Sequence, residues 1–285
     1  MPMIAAVNGT TLSYHEVGQG SVCLVLHGGM GTDHTMYRVL DPLGERLRLV
    51  YFDQRGTGRS GRPPLNTLTM PQLADDAAEL ARQLGAEQVL VFGHSFGGFV
   101  AQELAVRHPD LVSGLVLAGT TAGQRGDADR IDEDSGPPPS PALAAMIGKM
   151  VTEADTDEKF AAMFREILPY YVHRFDPSGF SRLTAGAVAD VATFHATVSL
   201  MRTWSVIDRL DQVKAPTLLL TGEHDPVCSP AQSRRIARRM KSADVVVFDN
   251  SGHFPWLDEP EQFYAVMHHW LDQHRGQTHD GCKKG

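Results

Sequence analysis

Val89-Leu90-Val91-Phe92-Gly93-His94-Ser95-Phe96-Gly97 leads from a short apolar run, through a serine flanked by glycines, into residues 96–108, where apolar positions recur at helical spacing. That succession predicts a strand feeding directly into a helix. A serine at such a junction sits in a sharp, strained turn that lifts its hydroxyl above the end of a sheet. Strand and helix then pass so closely that side chains at Gly93 and Gly97 would collide, which accounts for both glycines. A G-x-S-x-G string alone is common by chance. Its position between this strand and this helix gives it weight over a glycine-rich turn with an idle serine.

The same alternation continues on both sides. Strands are expected at residues 11–17, 22–26, 47–52, 89–92 and 115–117, with helices at 70–84 and 96–108. From about Thr121 the character changes. Residues 123–141 are rich in Gly, Asp and Pro, and helical patterns follow near 141–152, 156–167 and 187–204, with no strong strand. Alternation resumes after Pro216 with a strand at 217–220, a helix at 230–240, a strand at 245–248 and a closing helix at 260–274. The expected fold class is α/β: a mostly parallel sheet covered by helices on both faces. The expected domains are a core of residues 1–121 and 207–275, split by a helical insertion of residues 122–206. The polar tail 276–285 is expected to be disordered. Its His279 and Cys282 suit a loose tail better than a metal site.

Serine is a poor nucleophile at neutral pH and needs a base. With thirteen histidines in the chain, only position can single one out. His253, in Asn250-Ser251-Gly252-His253, follows the late strand at 245–248 and precedes the last helix. Strand ends line one edge of a doubly wound sheet, so His253 is expected beside Ser95. The base in turn needs a carboxylate to fix its tautomer. Asp225, in Thr221-Gly222-Glu223-His224-Asp225-Pro226, follows the strand at 217–220 and gives the chain order Ser, Asp, His. Asp249 and Glu223 are rivals for that role. Donors for an oxyanion are expected from the amides of Phe96 and Gly29, the latter in His27-Gly28-Gly29-Met30-Gly31 after the strand at 22–26.

Other features are weaker. Gly56-Thr57-Gly58-Arg59-Ser60-Gly61 matches a dinucleotide fingerprint, but Pro63-Pro64 follow where a helix should open. No cofactor and no metal are expected. The 285 residues carry a formal charge of −8, which disfavours a nucleic-acid partner. The basic run Arg234, Arg235, Arg238, Arg239 and Lys241 reads as a solvated helix face. Cys23, Cys228 and Cys282 match no disulfide or metal framework. No signal peptide or membrane-length apolar run is visible, so a cytoplasmic protein with a small-molecule substrate and no membrane partner is expected. The sequence leaves the oligomeric state open.

Taken together, these segments resemble the α/β-hydrolase family over the whole chain except the tail. Within it, His27-Gly28-Gly29-Met30-Gly31 and Asp53-Gln54-Arg55-Gly56-Thr57-Gly58 resemble the H-G-G-P-G and D-Q-R-G-x-G of the proline iminopeptidase group. Met30 stands where that group has proline, and Gly-His-Ser-Phe-Gly replaces its Gly-Gly-Ser-Trp-Gly and looks more like general esterases. The resemblance implies a two-step hydrolysis of an ester, lactone or amide through Ser95, His253 and Asp225. It also implies that the insertion is a cap over the site. Met30, Tyr170, Tyr171, Met201, Trp204, Phe254 and Trp256 are the expected pocket residues. Two alternatives stand beside an esterase: an iminopeptidase, and a catalytically weak ligand-binding protein of the same fold.

Overall fold

The computed structural model describes residues 2–29, 31–123 and 140–274. Its eight strands are β1 (Met3–Val7), β2 (Thr10–Val17), β3 (Ser21–Leu26), β4 (Leu47–Phe52), β5 (Val89–His94), β6 (Val112–Ala118), β7 (Thr217–Gly222) and β8 (Ala243–Phe248). They form one sheet in the order β1-β2-β4-β3-β5-β6-β7-β8. The β1–β2 and β2–β4 pairs are antiparallel and every other pair is parallel. The central strands are predominantly apolar because both faces are covered: each residue of β5, β6 and β7 is buried.

Helices α1 (Met70–Gln83), α2 (Phe96–Arg107), α7 (Pro230–Ala237), α8 (Pro255–Asp258) and α9 (Pro260–Gln273) belong to this alternation. Thr69 caps α1 by accepting the Gln72 amide at 3.2 Å, which fixes its start. Two apolar cores result, one holding Leu24, Leu26 and Val91 against α1 and α2, the other holding Val25, Phe92 and Val116 against α9.

Between β6 and β7 lie α3 (Pro141–Glu153), α4 (Asp157–Ile167), α5 (Pro177–Leu183) and α6 (Val191–Met201). Leu143, Met150, Phe160, Ile167 and Phe194 give α3, α4 and α6 a small core of their own, whereas Phe180 of α5 packs into the second sheet core. The insertion is tied to the sheet through Asp190 N–H to Gly31 O at 2.8 Å and Thr193 Oγ1 to Gly56 O at 2.7 Å.

The structure adds elements that the sequence reading lacked. β1 is joined to β2 by Asn8-Gly9, both with positive φ (40° and 77°), the backbone that a two-residue hairpin requires. Residues Thr35–Glu45 form 3-10 turns around Pro42. The helix expected over 187–204 begins only at Val191, because the Asp190 side chain caps it by accepting the Thr193 amide at 2.7 Å. The tail 276–285 and most of the Gly/Asp/Pro-rich stretch lie outside the described residues. No helix among the described residues is long and apolar enough to cross a membrane.

Candidate active site

Parallel strands bring their C-terminal ends to one edge of the sheet. Gly28 and Gly29 follow β3, Ser95 follows β5, Asp225 follows β7 and His253 follows β8.

Ser95 links β5 to α2 with φ 52° and ψ −119°, a left-handed conformation that costs a non-glycine residue about 1–3 kcal/mol. The surroundings hold it there. Its N–H donates to Ala118 O at 3.0 Å, and its carbonyl accepts the Gly98 amide at 2.9 Å and the Thr120 hydroxyl at 2.8 Å. A Cβ at Gly93 would lie 2.6 Å from the Ala101 Cβ, and one at Gly97 would run into the Leu26 carbonyl. Both glycines are needed for the close passage of β5 and α2.

His253 is buried, and its Nδ1 lies 2.7 Å from Asp225 Oδ2. The other carboxylate oxygen, Oδ1, accepts the amides of Val227 at 2.8 Å and Cys228 at 2.9 Å. Burial opposes ionisation of Asp225 and is the largest single influence. The positive character of His253, its hydrogen bond and the two amides together outweigh it, and hold the carboxyl below its ordinary range. An ionised carboxylate only accepts, so Nδ1 of His253 carries a hydrogen; in the neutral form of the ring the lone pair is then on Nε2. The rivals Asp249 and Glu223 are both exposed.

Ser95, Phe96, Gly29 and His253 line one cavity of about 710 Å³. Phe96 is the first residue of α2, so its N–H has no carbonyl one turn back within the helix. Gly29 has φ 69°, and its carbonyl accepts the Thr32 amide at 2.9 Å, forming a tight turn. Of the expected pocket residues, Tyr171, Met201 and Phe254 are on the cavity wall. Three others are not. Tyr170 is 45% exposed and off the wall. Trp204 sits one layer behind it: its indole N–H needs an acceptor and finds Glu103 Oε2 at 3.0 Å, and its ring stacks on Phe99 at 4.9 Å. Trp256 is buried beneath, edge-on to His94 at 4.8 Å. Met30 lies outside the described residues.

The sequence reading missed Tyr37, Met150, Phe164, Phe194 and Val198, which also line the cavity. The apolar period of α3, α4 and α6 marks these residues as inward-facing, but not which neighbour they face. Tyr37 carried no signal at all.

The G-x-G-x-x-G decoy is a turn folded around Asp53, whose Oδ2 accepts the Arg59 amide at 2.8 Å. Gly58 lies against the same carboxylate, and residues 61–64 are irregular, so no helix opens directly at Gly61. Among the described residues, no group of three or more His, Cys, Asp or Glu is placed to hold a metal ion.

Comparison with known proteins bears on this arrangement. The family model described as "Alpha/beta hydrolase family" matches residues 23–266. Proline iminopeptidase PfmaB of Pestalotiopsis fici is 30% identical over 257 residues, covering 87% of this chain and 91% of that protein. Among solved structures, an esterase from Exiguobacterium antarcticum superposes with a TM-score of 0.79 at 22% identity, over 95% of this chain and all of that one. An enol-lactonase from Burkholderia xenovorans gives 0.76 at 24% identity with the same coverage, 95% and 100%. At these identities the two structures speak for the fold alone. With the sheet order and the family match in agreement, the chain belongs to the alpha/beta hydrolase family.

Proposed function

We propose that this hydrolase is a serine enzyme that cleaves a carboxylic ester, or a related lactone or amide bond, of a small uncharged molecule. The observation that carries the reading is the 2.7 Å bond between His253 and Asp225 at the wall of a cavity that Ser95 shares. Ser95 Oγ attacks the substrate carbonyl while His253 Nε2 takes its proton. Negative charge then grows on the carbonyl oxygen, and the amides of Phe96 and Gly29 are the donors proposed to hold it. His253, now an imidazolium stabilised by Asp225, protonates the leaving group. A water deprotonated by the same histidine releases the acid from Ser95. No cofactor takes part in this scheme. Residues 122–206 act as a cap on the core of residues 1–121 and 207–275, and the cavity lies between them.

The character of the cavity wall supports the substrate class. No Asp or Glu is among its described lining residues, whereas Arg202 and Arg235 are. An aminopeptidase must bring a free ammonium group next to the scissile bond, and a desolvated ammonium needs a carboxylate partner. The acidic residues of α3, α4 and the turn between them, Glu153, Asp155, Asp157, Glu158 and Glu166, are all exposed and off the wall. An ester or lactone needs only the apolar wall that Met150, Phe164, Phe194 and Val198 provide.

The iminopeptidase reading draws on the relative at 30% identity that bears that name. The two readings separate on kcat/KM for a prolyl arylamide against an acyl ester of similar size. Our reading expects the ester to be the better substrate. Efficient arylamide turnover, lost selectively in Glu158→Gln or Glu166→Gln, would establish the peptidase instead. Absence of turnover for every ester, lactone and arylamide would favour a binding protein.

A further inference from the structure

His94 and Tyr37 form a buried pair that this scheme does not use. His94 Nε2 lies 2.9 Å from the main-chain carbonyl oxygen of His253. His94 Nδ1 lies 2.6 Å from the Tyr37 hydroxyl, and the same hydroxyl lies 2.6 Å from the Gly28 amide nitrogen. For a neutral His94 these contacts allow one proton arrangement. A carbonyl oxygen only accepts, so Nε2 carries the hydrogen. A neutral imidazole has one N–H, so Nδ1 must accept, and the Tyr37 O–H donates to it. The phenol oxygen in turn accepts the Gly28 N–H. The rings around His94 are Tyr37, His253, Phe254 and Trp256, and none of them is anionic. Burial first, and then the neighbouring His253, push His94 well below the ordinary histidine range, which agrees with a neutral ring.

Resting on the serine-hydrolase reading above, we infer that Tyr37 and His94 are positioning residues: a neutral hydrogen-bond relay that locks the oxyanion turn, the nucleophile turn and the base in one register. Each end of the relay meets a separate part of the machinery. His94 directly precedes Ser95 in the chain, and through Nε2–H it grips the backbone of His253. Tyr37 grips Gly28, which precedes the proposed oxyanion donor Gly29. Gly28 leaves no slack, since a Cβ there would come within 2.8 Å of the Ser95 Cβ and 2.9 Å of the Tyr37 hydroxyl. A shift of the phenol is therefore passed to the Gly29 amide, and a shift of His94 to both Ser95 and His253. Because the relay is uncharged, it orients His253 without placing a second positive charge beside the imidazolium that forms during turnover.

The test uses Tyr37→Phe, His94→Leu and His94→Gln, with a p-nitrophenyl ester as substrate and thermal melts to verify folding. Tyr37→Phe removes the hydroxyl and keeps the ring. It should lower kcat about 10- to 100-fold with KM changed less than about twofold, as expected for misplaced catalytic groups. The side-chain amide of His94→Gln can still donate to the His253 carbonyl, so this variant should recover most of the kcat that His94→Leu loses. Nitrogen-15 spectra of His94 in the wild-type protein should show Nε2 protonated and Nδ1 bare from about pH 5 to 9, the span in which an ordinary histidine titrates. Wild-type kcat in Tyr37→Phe, a loss carried by KM, a Gln variant no better than Leu, or protonation of His94 at both nitrogens would overturn the relay. Failure of wild-type Ser95 to react with a fluorophosphonate, with the His94 tautomer as stated, would instead overturn the serine-hydrolase reading.

Discussion

The N–H of His253 donates to the main-chain carbonyl of Tyr171 at 2.6 Å. The proposed base is thus held from one side by the inserted segment, while its ring is held by Asp225 from the core. Asp258 reinforces the junction. Its Oδ2 accepts the amides of Gly252 and His173, both at 2.9 Å, and its Oδ1 accepts that of Arg174 at 3.0 Å.

Asp258→Ala should therefore loosen His253 without touching it. Three amides lose their acceptor, so stability should fall by about 1–3 kcal/mol. A displaced base should lower kcat by about tenfold or more. Urea unfolding and ester kinetics on the same preparation measure both. Unchanged kcat in a destabilised variant would show that the junction serves stability alone.

The carboxylate assignment predicts a ranking. Asp225→Asn should keep the fold and lower kcat by about four orders of magnitude, because an amide that donates to Nδ1 fixes the wrong histidine tautomer. Asp249 is exposed and away from the cavity, so Asp249→Asn should stay within about twofold of wild type. Steady-state kinetics on the two variants check this, and the reverse order would transfer the role to Asp249.

How much of this was legible in the sequence depends on what each residue is fixed by. Ser95, Asp225 and His253 each follow an apolar strand, and parallel strands end at one edge, so their approach follows from chain order. The two glycines beside Ser95 carried a steric message that the close β5–α2 contact repeats. The strand Met3–Val7 was also within reach, because Asn8-Gly9 is a hairpin signal. The cavity wall was not. Trp204 and Trp256 are both aromatic, and Trp256 follows His253 closely, yet Trp204 turns to Glu103 and Trp256 packs under His94. Tyr37 lies in irregular 3-10 turns, where no periodicity marks a face. Its role depends on partners at Gly28 and His94, which only tertiary packing supplies.

The cysteines give a prediction about pH. Burial raises the Cys23 thiol to about 12. Burial, and then the negative charge of Asp225, push Cys228 well above the ordinary range. The thiolate is the reactive form, so at pH 8 neither residue should be alkylated by iodoacetamide in the folded protein, although Cys228 lines the cavity. Peptide mapping before and after denaturation measures this. Rapid labelling of Cys228 in the native state would contradict it.

The central claim is that Ser95 is the nucleophile, and covalent trapping tests it most directly. A fluorophosphonate should add once per chain, and digestion followed by mass spectrometry should place the adduct on Ser95. The label should be absent in Ser95→Ala, whose turnover of an ester should fall by about five to six orders of magnitude. An adduct on another serine, or an alanine variant that keeps its activity, would contradict the account.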